Sequence, residues 1–206
     1  MKFWSSLRTR RNPPVAKTDP GELARTSPYI AEYIAAIDRT QKFGLEAPPR
    51  VLVRKECVDM QVVLPVLLDY YAQHSPDELT GQTGAIHFAL LPLLYETTGI
   101  PFILTIGWMV RQGKPIFPHD EALIDRFIER GRQAWLHEGC PFHLWMTSPA
   151  CEVLDITFAM NLGRIQSPEQ CAKRIVYQSA YESPGDLLYH PTLVGTDFFH
   201  KTGAVL

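Results

Sequence analysis

Gly81 to Pro101 reads GQTGAIHFALLPLLYETTGIP, and the folding of this stretch decides the architecture. From Thr83 to Thr97 it carries Ile86, Phe88, Leu90, Leu91, Leu93 and Leu94, which suits a helix buried on most of its sides. Gly99 can leave a helix in the left-handed conformation, and Pro101 cannot continue one. The spacing predicts a buried helix that opens at Thr83 and is kinked by Pro92.

Such a helix needs partners on several sides, and the flanking sequence offers them. Upstream, Ser27 to Lys42 places Ile30, Tyr33, Ile34 and Ile37 on one stripe, with Gly44 as a stop. Val58 to His74 is apolar over much of its surface; helix is the preferred reading, although Pro65 and the Val62-Val63 pair also permit a strand. Downstream, Phe102 to Val110 is rich in β-branched and aromatic residues, and Arg111 to Lys114 supply a turn into a short return strand over Pro115 to Phe117.

His119 to Gly139 is predicted as one charged amphipathic surface helix with Leu123, Phe127, Ile128 and Trp135 at helical spacing. Two strands, Phe142 to Met146 and Glu152 to Phe158, are joined by a turn through Ser148, Pro149 and Ala150 and are expected to pair antiparallel. Ser167 is placed to cap a helix over Pro168 to Ser179. From Tyr181 onward the pattern supports only a short strand at Leu187 to Tyr189. The fold class is thus α+β.

Composition bounds the function. With 206 residues, 46% of them hydrophobic, the chain can bury one sizeable core, and a formal net charge of -2 gives no general reason to expect nucleic acid or a membrane surface as partner. The longest apolar runs fall short of the ~20 residues needed to cross a bilayer. Arg8, Arg10 and Arg11 interrupt the start before any secretion-type apolar run forms. Residues 1–18 read as a basic flexible arm and 19–206 as a single domain. Four widely spaced cysteines in a chain of this size point to reduced thiols and a cytoplasmic setting.

Three pieces follow one another in an order that carries chemistry: Gly81-Gln82-Thr83-Gly84 opening an apolar helix that ends in Gly99-Ile100-Pro101, then His143-Leu144-Trp145, then Leu154-Asp155-Ile156-Thr157. Together they resemble the transglutaminase-like branch of the papain-type cysteine enzymes over about 81–158. The resemblance implies a central buried helix packed on a small antiparallel sheet with flanking helices. It also implies a nucleophile at the helix start, His143 as base and Asp155 as the group that holds the imidazole tautomer. Counted from the turn near Pro149, His143 and Asp155 are expected to face one another across the ladder.

The departure from the family is Thr83, which stands where the nucleophilic cysteine belongs. A threonine hydroxyl is far harder to ionise than a thiol, and an internal threonine lacks the terminal amine that threonine nucleophiles use as base. Thr83 also reads as a plain helix N-cap, in competition with Thr80, and His143 as a core histidine with a satisfied ring nitrogen. Around the cleft, Gln82 and Gly84 at the helix start, His87 one turn later, Trp145 and the thiol of Cys151 are candidate binding residues. His137, Cys140 and His143 have ligand types that zinc accepts, but no second compact pair accompanies them, so neither metal nor cofactor is expected. The leading expectation is a degenerate transglutaminase-like domain, a pseudoenzyme binding a protein or peptide in its former active-site cleft. The alternatives are an active acyl-transfer enzyme or amide hydrolase using Thr83, His143 and Asp155, and a structural or immunity-type interaction protein.

Overall fold

The computed structural model describes residues 25, 27–49, 58–79, 82–158, 175–180 and 185–204. The basic arm lies outside them, as do Thr80, Gly81, Cys57 and Cys171. Helices α1 (Pro28–Lys42), α2 (Met60–Ala72), the single turn α3 (Pro76–Leu79) and α4 (Thr83–Thr98) come first. They are followed by β1 (Ile103–Arg111), β2 (Lys114–Ile116), α5 (Glu121–Arg130), α6 (Arg132–Glu138), β3 (His143–Thr147), β4 (Val153–Asp155), β5 (Val176–Gln178), β6 (Leu187–Val194) and α7 (Asp197–Lys201). The α+β class holds.

All the strand pairings are antiparallel, and β1 organises them. One edge of β1 carries β3 along Ile103–Gly107 and β2 along Met109–Arg111, while β6 runs along the other edge from Thr105 to Arg111. Outward from β3 lie β4 and then β5. The β1–β2 hairpin turns on Gln112 and Gly113, both at positive φ (51° and 74°), as a two-residue turn matched to strand twist requires.

Strand alternation sorts the side chains onto two faces. Leu104, Ile106, Leu144, Met146 and Leu154 face one way and share cores with the helices: Val63, Leu67, Ile86, Leu90 and Leu94 at one side, Ile124, Phe127, Phe198 and Phe199 at the other. Each fully buried leucine or phenylalanine there contributes about 1.5–3 kcal/mol. His143, Trp145 and Thr147 face the opposite way, where Trp145 packs with Met109, Val153 and Tyr189. Gly107 sits at the centre of that face; a Cβ on it would lie 2.1 Å from His190 O and 2.6 Å from Trp145 Cη2.

The structure corrects the sequence in several places. The helix predicted over His119 to Gly139 is two helices, because Gly131 adopts φ 55° and ψ -134°, a conformation open to glycine and closed to most side chains. It is also less superficial than expected, with Ile124, Phe127 and Ala134 fully buried. The helix predicted over Pro168 to Ser179 does not reach its end, since Val176–Gln178 form β5 against β4; residues 159–174 lie outside the described set. The strand at Leu187 to Tyr189 continues to Val194 and is the long partner of β1. Pro191 hid it: proline lacks an N–H and discourages a strand reading, and it is seated opposite Gly107, where the register shifts.

Candidate functional site

His143 begins β3 and Asp155 ends β4, so both sit at the same end of the sheet. The ladder pairs Met146 with Leu154 and Thr147 with Val153, a register that sets Asp155 against Trp145 rather than against His143. The direct opposition expected from the turn position is therefore replaced by a diagonal one. Diagonal neighbours are within reach of long side chains, and the His143 Nε2–H donates to Asp155 Oδ2 at 2.6 Å with both side chains at 0% exposure.

Asp155 collects two more donors. The Tyr189 hydroxyl donates to Oδ2 at 2.9 Å and the Thr157 N–H to Oδ1 at 3.0 Å. Burial by itself pushes this carboxyl up, but the charge of His143 and the hydrogen bonds from His143, Tyr189 and Thr157 outweigh it and hold Asp155 below the ordinary value. Tyr189 goes the other way: burial and then the carboxylate beside it push the phenol well above 10, so it keeps its proton and donates. In a neutral His143 ring this arrangement fixes the proton on Nε2 and makes Nδ1 the basic atom.

His87, one turn into α4, feels the charges of this pair. The His87 Nδ1–H donates to Thr83 O at 2.7 Å, and its buried Nε2 has no hydrogen-bond partner among the described residues. Burial drives His87 down to about 4, so the ring is neutral; Asp155 pulls it up and His143 pushes it down, which places both within electrostatic range. Ile86, beside it, shares a core with Ile156, just beyond Asp155.

Thr83 is the first residue of α4, and the N-cap is Gln82, which makes no side-chain cap bond. The N-cap role expected for Thr83 is thus displaced by one residue. Its side chain is buried, whereas Gln82 is exposed and a Cβ added at Gly84 would meet nothing within 4 Å among the described residues. Trp145 is a core residue: it is fully buried, stacks on His143 at 5.8 Å and donates its Nε1–H to Tyr29 OH at 2.9 Å. Tyr29 OH in turn meets Thr147 Oγ1 at 2.8 Å.

Cys151 is not brought to the pair. It occupies the β3–β4 turn at φ 57°, at the far end of the hairpin from His143, and packs with Ile30, Tyr33 and Ile37 of α1. Tyr189 is the residue that sequence reasoning missed. Its only local signal was a place in a short apolar strand, and its partner is 34 residues away. No group of three or more His, Cys, Asp or Glu side chains is placed to hold a metal ion among the described residues, and no helix among them is long and apolar enough to cross a membrane. Comparison of the chain with protein-family models, with curated proteins and with solved structures finds no match.

Proposed function

We propose that this chain is a transglutaminase-like domain that lacks catalysis and holds a protein or peptide segment at the mouth of α4, around Gln82, Thr83 and Gly84. One observation carries the reading: the His143–Asp155 pair is intact at 2.6 Å yet has no exposed surface. A base with no exposed surface takes no proton from a substrate until the site opens, and the residue at the helix start is a hydroxyl that resists ionisation. The pair then acts as a clasp between β3, β4 and β6. The exposed Gln82 and the space beside Gly84, open among the described residues, supply the recognition mouth.

Screening the full chain against a displayed peptide library, then mapping a selected peptide on the backbone amides, tests this. Bound peptide is expected to move the resonances of 82–87, and Gly84→Trp is expected to abolish binding while the pattern of folded resonances persists. Binding that is indifferent to Gly84→Trp contradicts it.

The hydrogen bond between His143 and Asp155 favours one other reading: an acyl-transfer or amide-hydrolysing enzyme with Thr83 as nucleophile, His143 as base and Asp155 as its orienting carboxylate. It requires the site to open, and turnover lost on His143→Gln identifies it.

A further inference from the structure

Successive residues of β6 serve opposite faces of the sheet. Tyr189 turns to Asp155, whereas His190 turns the other way, where its Nδ1–H donates to Glu32 Oε2 on α1 at 2.9 Å. The His190 ring also stacks on Trp108, with 4.1 Å between centroids and 15° between planes. That stack forms one wall of a pocket of about 280 Å³ between α1, the β1–β6 edge and the start of α5. The volume lies at the lower limit for small-ligand sites and suits a single side chain.

The lining is rich in acceptors. Glu32 has one oxygen engaged by His190, and Asp120 has one engaged by the Leu123 N–H at 3.1 Å as the α5 cap; an ionised carboxylate has room for about four hydrogen bonds. His119 also lines the pocket. Its Nδ1–H donates to Phe117 O at 3.0 Å, which leaves Nε2 with a lone pair, and that buried atom has no hydrogen-bond partner among the described residues. Arg39, the cation of the lining, is already committed, with Nε on Glu121 Oε1 at 2.9 Å and Nη1 on Thr192 O at 3.0 Å.

The geometry points to a site for a cationic side chain of a partner polypeptide, a lysine ammonium or an arginine guanidinium. Its N–H groups meet Glu32 and Asp120, its charge offsets the two carboxylates, and its stem lies along the Trp108–His190 wall. Neither Thr83 nor the His143–Asp155 pair lines this pocket, so the cation site stands or falls independently of the α4 mouth.

Titration of the full chain with N-acetyl-lysine methylamide, N-acetyl-arginine methylamide and, as the neutral counterpart, N-acetyl-norleucine methylamide tests it by two-dimensional nitrogen NMR. Saturable shifts of the Trp108 indole and of the His190 and Thr192 backbone signals are expected with one or both cations and none with norleucine. The Glu32→Gln, Asp120→Asn double variant is expected to weaken binding by about tenfold or more. Ala35→Trp, on the exposed side of α1 at the pocket mouth, is expected to block it without touching either carboxylate, which keeps the test decisive if the double variant fails to fold. Equal shifts with norleucine, no saturable shift with either cation, or unchanged affinity in Ala35→Trp overturns the assignment.

Discussion

Tyr189 on β6 donates its hydroxyl to Asp155 on β4 at 2.9 Å, across the two strands that separate them in the sheet. The bond joins one end of the longest strand pairing among the described residues to the imidazole–carboxylate pair, and both side chains are buried. Replacing Tyr189 with Phe keeps the ring and removes the donor. The loss is expected to destabilise the chain by about 1–3 kcal/mol in urea denaturation and to raise the Asp155 pKa, because a hydrogen bond to the charged form is gone. Unchanged stability means the hydroxyl contributes nothing there.

His87 makes the chain acid-sensitive. Its folded value is depressed to about 4 from an ordinary 6.5, so the unfolded chain binds its proton first as pH falls. Stability is therefore full above pH 6.5, and this group withdraws about 3 kcal/mol between 6.5 and 4. Asp155, also depressed, adds a loss only below the ordinary aspartate value of 3.8. Chemical denaturation as a function of pH is expected to show a larger first loss in the native chain than in His87→Gln, where His119, also depressed by burial, still contributes. An identical slope in the variant assigns the acid sensitivity elsewhere.

Gly107 leaves the space that Trp145 fills. An alanine there sets a Cβ 2.1 Å from His190 O, a backbone atom held in the β1–β6 ladder, and 2.6 Å from the indole. Gly107→Ala is expected to cost about 3 kcal/mol or more and to perturb the Trp145 indole signal. A tolerated alanine contradicts the close packing of β6 on β1.

The central helix, the first helix and the β3–β4 hairpin were legible in the sequence because their signals are local: an apolar run ended by Gly99, a stripe ended by Gly44, a turn through Pro149. The His143–Asp155 contact was legible too, though its diagonal geometry was not, since the pairing is offset by two residues from the expected one, a register set by the backbone of the turn, in which Cys151 takes a positive φ. What escaped were long-range facts. Tyr189 and the length of β6 depend on Gly107, more than eighty residues upstream, and Pro191 argued locally against a strand. The break at Gly131 was visible as a glycine, but a glycine inside an amphipathic run is compatible with a continuous helix until its backbone angles are known.

Whether the buried pair is a clasp or a resting catalytic dyad is decided most directly by peptide-amide and thioester turnover of the native chain against His143→Gln, compared at equal folded fraction. The proposed reading predicts that both proteins turn over substrate at the same background rate, with the variant distinguished only by lower stability. Turnover by the native chain that is lost in His143→Gln contradicts it and restores His143 as a base acting on substrate.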